Sequence, residues 1–283
     1  QLSSSSESHT ARYFRGELKI EANRARAKSP VQGTVDILRA SEHNLKELSA
    51  KIPLRRLVAI TGVSGSGKST LLYDILFANY QRFRGRRVQD VGKVERIEGW
   101  NQVEDLLLVD QSPIGRTPRS NPLTYMKAFD PVRKLFARTP EARRRGLSAG
   151  HFSFNVALGR CEECEGDGLM KIEMHFLADV FITCERCGGS RYQPHILQVK
   201  YRGKGIREVL DLTVEEARGF FSGEAGVCEP LSILEQVGLG YLRLGQPATT
   251  LSGGEAQRLK LASELSSRGK KNLLYLFDEP TTG

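Results

Sequence analysis

Several residue types and patterns are rare in this sequence. Its 283 residues include one tryptophan, three methionines and five cysteines. No run of about 18 apolar residues occurs, so no transmembrane helix is predicted. The Ser-rich residues 1–10 have no apolar stretch of the kind that a secretory signal needs. Heptad and Gly-X-Y repeats are also missing, which excludes a coiled coil and a collagen helix.

The overall composition is that of a folded globular protein. Hydrophobic residues make up 39% and charged residues 27%, which excludes a largely disordered chain. The length suffices for one large domain or two ordinary ones. Lys and Arg number 42 against 33 Asp and Glu, so the formal net charge is +9. This modest excess is a weak indication of a polyanionic partner.

Four of the five cysteines form two Cys-x-x-Cys pairs, which are Cys161/Cys164 and Cys184/Cys187. Glycines follow each pair, as in zinc knuckles, and four thiolates complete the tetrahedral shell of a structural Zn²⁺ ion. A redox pair or disulfides are less favoured alternatives, because no secretory signal is predicted and we expect a cytoplasmic protein. Cys228 is expected to be a buried thiol. His175 and His195 are interpreted as ordinary side chains, since four cysteines already fill the shell.

The apolar pattern predicts an α/β protein. Residues 1–30, with Ser runs and scattered basic residues, are interpreted as a linker. Short apolar runs predict strands, and helical spacing or a capping box predicts helices. The predicted strands are 54–61, 106–109 and 273–277, with partial strand-type alternation in 31–38 and 170–182. The predicted helices are 71–83, one around 132–137 in an otherwise irregular segment 112–150, one opened by residues 213–216 and ending near Gly223, and one from Ser252 to about residue 267.

A glycine-rich segment between the predicted strand 54–61 and helix 71–83 matches the P-loop pattern G-x-x-x-x-G-K-[ST]. Its glycines let backbone amides approach an anion, and the helix N-terminus adds a positive dipole. Lys68 supplies a cation for the β- and γ-phosphates of ATP, and the Ser69 hydroxyl is suited to hold Mg²⁺. This context favours an ATP site over an ordinary turn. The predicted phosphate-binding residues are Gly62, Ser64, Gly65, Ser66, Gly67, Lys68, Ser69 and Thr70.

Two carboxylates, Asp278 and Glu279, follow the last apolar strand. Asp278 fits a Mg²⁺-associated position, and Glu279 fits a base that orients or activates the attacking water. Upstream of that strand, a turn opens the helix predicted from residue 252 and offers a second anion site through its hydroxyl, glycine amides and helix dipole. An ordinary helix cap is the alternative for this turn. Its residues are Ser252, Gly253 and Gly254.

The order of these motifs resembles the nucleotide-binding domain of ABC-type ATPases. The resemblance rests on residues 62–70, Gln111, residues 251–257 and residues 273–279. It implies a P-loop core with a helical signature subdomain, in which Gln111 senses Mg²⁺ and the attacking water. It also implies that the Ser252 helix faces the γ-phosphate of an ATP held by a partner domain. The implied catalytic set is Lys68, Gln111 and Glu279.

Both cysteine pairs lie in the long span between Gln111 and Ser252. This span points to one particular family among the ABC-type ATPases. From about residue 45 to residue 283, the chain resembles the C-terminal nucleotide-binding half of the UvrA family, the ABC-type ATPases of bacterial nucleotide excision repair. The departures are His151, where an arginine is usual, and residues 192–197. The most distinctive strings are residues 60–71, 109–122, 152–155, 171–176 and 239–265.

The resemblance implies a cytoplasmic protein that uses ATP, Mg²⁺ and Zn²⁺, binds damaged double-stranded DNA, forms a homodimer when complete and loads UvrB. No membrane contact is expected, and the contact with UvrB is expected outside this chain. Basic residues near the cysteine pairs are candidates for phosphate contacts, which give affinity without reading bases. A solvated surface is the alternative for each of them. The candidates are Arg116, Arg119, Arg143, Arg144, Arg145, Arg186 and Arg191.

The motifs divide the chain into four predicted parts. After the linker 1–30 come a first part of the ATP-binding core, 31–115, and an insertion, 116–240, with the zinc module 161–187 and a DNA-facing basic segment. Residues 241–283 carry the signature helix and the two carboxylates, and we expect the domain to continue beyond them. The alternatives are a UvrA-like paralogue for tolerance of DNA-binding drugs, another soluble ABC-type ATPase, and a zinc scaffold with an inactive nucleotide site.

Overall fold

The computed structural model describes residues 8–19, 30–115, 117–174, 179–266 and 272–280. It contains both helices and strands, as predicted. A short helix, α1 (His9–Phe14), lies within the segment interpreted as a linker, and the Ser8 side chain caps it by accepting from the Ala11 amide. None of the helices in the described ranges is long and apolar enough to cross a bilayer.

Two small sheets flank the first of two large apolar cores. In one sheet, β1 (Thr34–Ala40) pairs antiparallel with β2 (Leu48–Pro53) on one side and β3 (Val94–Glu98) on the other. In the other sheet, β4 (Asp105–Val109) runs parallel to β9 (Leu273–Phe277), which confirms the two strands predicted there. The carboxyl ends of parallel strands meet at one edge, so the residues that follow β4 and β9 come together.

The helix after the P-loop packs on these strands. It begins as a π-helix (Thr70–Phe77) and continues as α2 (Ala78–Phe83), which confirms the predicted helix 71–83. Its Tyr80 ring makes an edge-to-face contact with Trp100, with centroids 5.2 Å apart. The core shared by strands and helix includes Val35, Ile37, Leu71, Leu72, Ile75, Leu76, Tyr80, Trp100, Leu106 and Leu276.

One predicted strand is wrong. Residues 54–61 form a turn and irregular backbone, and they pair with none of the described strands. Leu57 is 99% exposed and Val58 is 42% exposed. An apolar run becomes a strand only where a neighbouring strand satisfies its backbone groups, and periodicity alone does not reveal that neighbour.

A helical region between residues 117 and 266 contains the second large core. Its helices are α3 (Pro122–Tyr125), α4 (Phe129–Ala137), α5 (Pro140–Arg144), α6 (Pro194–Leu197), α7 (Ile206–Leu210), α8 (Val214–Phe220), α9 (Ala225–Gln236) and α10 (Gly253–Ser266). A short ribbon joins β7 (Lys200–Tyr201) to β8 (Lys204–Gly205). The core includes Phe129, Val132, Phe136, Phe152, Phe154, Leu231, Leu259 and Ala262.

The segment 112–150 contains more helix than predicted. Helix α4 confirms the one expected around 132–137, but α3 and α5 lie on either side of it. Each of these begins with a proline after a capping side chain, Asn121 before α3 and Thr139 before α5. Proline is favoured in the first helical turn, where its missing N–H has no partner to lose. Pro122 and Pro140 therefore mark helix starts in a segment that was predicted to be mostly irregular.

Both predicted capping boxes are confirmed. At the start of α8, the Thr213 hydroxyl accepts from the Glu216 amide and the Glu216 carboxylate accepts from the Thr213 amide. At the start of α10, Ser252 and Glu255 form the same pair of bonds. Each box satisfies backbone donors that the helix itself leaves unpaired, so the local sequence fixes where these helices begin.

An antiparallel hairpin connects the two cysteine pairs. Its strands are β5 (Leu169–Ile172) and β6 (Val180–Thr183), which confirms the strand-type pattern in 170–182. Leu169 lies opposite Thr183. The hairpin therefore brings the residues after the first Cys-x-x-Cys next to those before the second.

Candidate nucleotide site and metal centre

The P-loop is held in shape by a neighbouring segment. Gly65 and Gly67 have positive φ angles of 78° and 93°. A Cβ atom at Gly67 would lie 2.7 Å from Cδ2 of Leu45. The Asn44 side-chain amide donates to the Gly65 oxygen at 2.8 Å. Residues 44–45 thus support a loop conformation that glycine adopts most easily. The loop residues Gly62, Ser64, Gly65, Ser66 and Ser69 are exposed, whereas Gly67, Lys68 and Thr70 are partly buried.

The Lys68 side chain folds back over the P-loop. Its Nζ donates to the backbone oxygens of Gly62 at 2.9 Å and Val63 at 2.8 Å. A phosphate oxygen is a stronger partner for an ammonium group than a neutral carbonyl oxygen is. The predicted phosphate cation is therefore already at the loop, with bonds that an anion can replace.

The Asp278 carboxylate lies close to the start of the P-loop helix. Its Oδ2 accepts from the Tyr73 hydroxyl at 2.9 Å. Burial, and then the hydrogen bond to Asp278, raise the pKa of Tyr73, so the phenol remains a donor at neutral pH. Tyr73 is one helical turn beyond Ser69. Together, the Ser69 hydroxyl and the Asp278 carboxylate are hard oxygen donors of the kind that suits Mg²⁺.

Gln111 and Glu279 meet because the strands before them are parallel. The Gln111 side-chain amide lies 3.4 Å from the backbone oxygen of Glu279. Glu279 has a φ of +44°, a left-handed conformation that is uncommon outside glycine and is frequent at functional sites. The structure thus brings together three of the predicted residues, Gln111, Asp278 and Glu279, at one edge of the sheet.

The start of α10 approaches Gln111 of the same chain. A Cβ atom at Gly253 would lie 2.8 Å from the Gln111 Oε1 atom. The Ser252 hydroxyl caps its own helix by accepting from the Glu255 amide at 3.2 Å. Burial acts to raise the pKa of Glu255, but hydrogen bonds from Ser252 and from the Tyr241 hydroxyl lower it overall. Glu255 is therefore a charged acceptor that fixes this turn.

Gln257 of α10, for which no individual role is predicted from the sequence, joins this helix to both parallel strands. Its side-chain amide donates to the backbone oxygens of Val109 at 3.0 Å and Asp278 at 2.8 Å. Gln257 is buried, with 5% of its surface exposed. One amide group therefore fixes the relative position of the two strand ends.

Lys260 makes a second connection from the same helix face. Its ammonium group contacts the Asp110 carboxylate and donates to the Ser112 hydroxyl at 2.7 Å. Gly253, Gln257 and Lys260 follow the spacing i, i+4, i+7, which places them along one face of a helix. That spacing groups the three residues on one face of the helix, but it does not reveal the strand ends that this face contacts.

The four paired cysteines come together as predicted. Their Sγ atoms all lie within 4.8 Å of one another, and none of the four is in a disulfide. The Sγ atoms are 4.0 Å apart for Cys161 and Cys184, and 3.7 Å apart for Cys164 and Cys187. Four thiolates at about 2.3 Å from one Zn²⁺ ion lie about 3.8 Å from each other. The cluster therefore fits a single tetrahedral metal ion.

The thiols of Cys161, Cys164 and Cys184 are buried, whereas that of Cys187 is partly buried. Burial raises the pKa of Cys164 to about 12 and also raises that of Cys184. The Gly168 amide donates to the Cys164 sulfur at 3.2 Å, a contact that favours a thiolate. Because the bound form of a cysteine ligand is the thiolate, a metal ion that bound here would displace protons.

No protein-family model matches the chain. Individual proteins match it throughout. UvrABC system protein A from Aquifex aeolicus is 53% identical over 283 residues, which are 100% of this chain and 30% of the relative. UvrABC system protein A from Deinococcus radiodurans is 51% identical over 284 residues, which are 100% of this chain and 28% of the relative. The chain is UvrA-like along its whole length.

The fold is UvrA-like as well. The crystal structure of UvrA2 from Deinococcus radiodurans matches with a TM-score of 0.88 and 46% identity, over 98% of this chain and 33% of that one. The chain therefore spans about a third or less of the UvrA proteins that it resembles.

The predicted DNA-binding arginines of this UvrA-like chain differ in how firmly they are held. Arg116 lies outside the described residues. Arg119 bonds to Asp167 beside the first knuckle at 2.5 Å. Arg186 is 60% exposed and lies 3.3 Å from Glu162. Both arginines are thus paired with carboxylates of the cysteine module.

Three further candidates lie at the end of α5. Arg143 and Arg144 are exposed, and Arg144 contacts Glu141. Arg145 bonds to Glu141 at 2.5 Å and to the Gln198 side chain at 2.8 Å, which fixes it against the residue after α6. Arg143 and Arg144 therefore remain the more accessible cations of this group.

The Arg191 prediction needs correction. This arginine is only 7% exposed, with its guanidinium 5.1 Å from the centre of the Phe154 ring and 3.2 Å from the Gly245 oxygen. Burial lowers the pKa of Arg191. Sequence proximity to the cysteines suggested a surface cation, but the packing places it inside, so it does not fit a contact with DNA phosphate.

The remaining singled-out side chains have ordinary surroundings. Cys228 is half-buried, and its thiol lies 3.0 Å from the Phe221 oxygen. His195 is exposed, and His151 accepts at Nδ1 from the Ser148 amide at 3.1 Å. His175 lies outside the described residues.

Proposed function

We propose that this chain is a nucleotide-binding segment of a UvrA-type ATPase of nucleotide excision repair. The complete protein binds and hydrolyses ATP, recognises damaged double-stranded DNA and loads UvrB, as a homodimer in the cytoplasm. The observation that carries this proposal is the identity of 53% and 51% to proteins named UvrABC system protein A across the whole chain.

In this proposal, the nucleotide site is built from the P-loop and the two strand ends. Backbone amides of residues 62–67 and the Lys68 ammonium group bind the phosphates. The Ser69 hydroxyl and the Asp278 carboxylate hold Mg²⁺, which neutralises charge on the β- and γ-phosphates when bound. Glu279 and Gln111 orient the attacking water. The juxtaposition of Gln111 and Glu279 at one sheet edge supports this assignment.

The test is Glu279→Gln in the complete protein. We expect ATP binding at this site to be retained and single-turnover hydrolysis there to fall at least about 100-fold, since general-base positioning contributes that much or more. The matched control is Glu173→Gln, because the Glu173 side chain is 78% exposed. Unchanged hydrolysis by Glu279→Gln would remove Glu279 from the catalytic set.

The turn Ser252–Gly254 is proposed to contact a nucleotide that is bound to the P-loop of another domain. The nucleotide bound at Lys68 then needs the corresponding turn of another domain. Isolated chain is accordingly expected to hydrolyse ATP poorly. Robust hydrolysis by the monomeric chain would contradict a composite site and favour an ATPase complete within this segment.

The cysteine cluster is proposed to hold one structural Zn²⁺ ion and to present basic residues to DNA. Four thiols at tetrahedral spacing support a closed site without an open catalytic position. The accessible Arg143 and Arg144 are the proposed phosphate contacts. Arg119 and Arg186 are proposed to contribute through the cysteine module, where both are paired with carboxylates.

A UvrA-like paralogue for tolerance of DNA-binding drugs is the second candidate. This candidate is supported by the structural match to a protein named UvrA2. Restoration of ultraviolet resistance in a bacterium lacking UvrA tests the choice: restoration supports repair, and drug resistance alone supports the paralogue.

A further inference from the structure

Tyr73 joins the P-loop helix to the end of β9. Its hydroxyl lies 2.9 Å from Oδ2 of Asp278, although the two residues are 205 positions apart in the sequence. Tyr73 is partly buried and packs against the core that contains Leu72 and Leu276. A tyrosine whose ring is packed in this way has little rotamer freedom, so its hydroxyl occupies a defined position.

The backbone of Asp278 is fixed independently of Tyr73. Its amide donates to the Val109 oxygen at 3.2 Å, and its own oxygen accepts from Gln257 at 2.8 Å. These contacts hold the main chain at the strand end but leave the side-chain rotation of Asp278 open. Within the described ranges, the side-chain hydrogen bond to this carboxylate comes from Tyr73 and orients it.

The segment that carries Tyr73 is unusual in geometry. The P-loop helix begins as a π-helix, and the Ala78 amide bonds to the Tyr73 oxygen five residues earlier. π-Helical turns are rare overall, and many of those that do occur lie at functional sites. The wide turn begins directly after Ser69, the proposed Mg²⁺ ligand on the P-loop side.

We propose that Tyr73 is a positioning residue that orients Asp278 toward the Mg²⁺ ion of a nucleotide bound at the P-loop. The inference rests on the proposed nucleotide site and adds a residue to it. A carboxylate has two oxygens and several lone pairs, so Asp278 can accept from Tyr73 and still offer an oxygen to the ion. Removal of the hydroxyl leaves the carboxylate to rotate, and the ion then binds with a less ordered ligand.

The test compares Tyr73→Phe with Tyr80→Phe in the full-length protein. Tyr80 is a matched control because its hydroxyl also makes an internal hydrogen bond from the same helix, at 3.0 Å to the Glu104 oxygen, but does not bond to Asp278. Binding of a fluorescent ATP analogue is measured as Mg²⁺ is titrated and again with chelator. The component that Lys68→Ala abolishes is the signal of this site.

For Tyr73→Phe we expect the Mg²⁺ concentration at half-maximal binding to rise roughly five- to tenfold, as for the loss of one hydrogen bond of typical net strength. Nucleotide binding in chelator should stay unchanged, and Tyr80→Phe should match the wild type in both measurements. In an Asp278→Asn background, Tyr73→Phe should add nothing further.

Two outcomes overturn the inference in distinguishable ways. If Lys68→Ala leaves binding unchanged, the proposed nucleotide site fails, and the role of Tyr73 fails with it. If Lys68→Ala abolishes a Mg²⁺-dependent component that Tyr73→Phe does not shift, or that Tyr80→Phe shifts equally, the nucleotide site stands and Tyr73 has only a structural role.

Discussion

The ammonium group of Lys260 in α10 contacts the carboxylate of Asp110, the residue directly after β4. The two side chains are 16% and 21% exposed. Burial acts to raise the pKa of Asp110, but the hydrogen bonds from Lys260 and Ser112 lower it overall. A charged pair with limited solvent access therefore connects α10 to the end of β4, just before Gln111.

Lys260→Met is expected to destabilise the protein by about 1–2 kcal/mol, between the effects typical of exposed and fully buried pairs. The reason is that Asp110 loses its cation while remaining partly buried. Urea denaturation followed by circular dichroism measures the change. Lys171→Met is the control at an exposed pair, where the Lys171 side chain is 46% exposed, and it should have a smaller effect. Equal losses of unfolding free energy in the two variants would mean that the Lys260–Asp110 pair stabilises the protein no more than an exposed pair does.

The contribution of the Lys260–Asp110 pair should depend on pH in one direction. Since the pKa of Asp110 is lowered in the folded protein, the stabilisation is present above the ordinary carboxyl pKa of about 3.9 and is lost as pH falls through the lower folded value. The difference between wild type and Lys260→Met should thus shrink below about pH 4. A difference that grows on acidification would contradict the assigned cause.

Zinc content should depend on the four clustered cysteines and not on Cys228. We expect one Zn²⁺ ion per chain, lost in Cys184→Ser, because a structural site needs its complete tetrahedral shell. Cys228→Ser should retain the metal. Elemental analysis of protein purified without added zinc makes the measurement. A full zinc content in Cys184→Ser would contradict a Cys₄ site.

Reversing the charges of Arg143 and Arg144 should weaken DNA binding and flatten its salt dependence. Each phosphate contact contributes a slope of about 0.9 in a plot of log affinity against log salt, so the slope should fall by up to about 2. Reversal of Arg82 and Arg84, which are also exposed, is the control with the same charge change. Equal slopes for the two double variants would show a general charge effect instead.

Arg191→Lys should lower stability, and Arg191→Gln, which removes the charge, should leave the salt slope of DNA binding unchanged. Lysine keeps the charge but loses the guanidinium contacts with Phe154 and Gly245, at an expected cost of about 1–2 kcal/mol. Thermal unfolding and DNA titrations provide the two readouts. The control Arg186→Lys, at a side chain that is 60% exposed, should leave stability unchanged. Because lysine keeps the charge that sets the salt slope, the slope is measured in Arg191→Gln, where a reduced slope would restore the predicted contact with DNA.

Local signals in the sequence were sufficient for much of the fold. The capping boxes at Thr213 and Ser252 and the apolar strands 106–109 and 273–277 depend on residues close in sequence, and the structure confirms them. The spacing of the cysteine pairs likewise predicts their cluster. Residues 54–61 show the limit, because whether an apolar run forms a strand depends on a neighbour that the run does not encode.

The connections within the candidate site could not be predicted in the same way. Tyr73 and Asp278 are 205 residues apart, and Lys260 and Asp110 are 150 apart. No local pattern relates such positions, since the sheet register and the packing of α10 decide them. The prediction for Arg191 was wrong for a related reason. Its position near the cysteines does not specify whether its side chain is buried or exposed.

Helix α10 belongs to two structural units at once. Leu259 and Ala262 on this helix are buried in the helical core, whereas Gln257 bonds to the ends of both parallel strands. A shift of the helical region that moved α10 would therefore stretch or break the hydrogen bonds of 3.0 and 2.8 Å from Gln257 to Val109 and Asp278, unless the strand ends moved as well. The helical region and the ends of β4 and β9 are thus connected directly through a single helix.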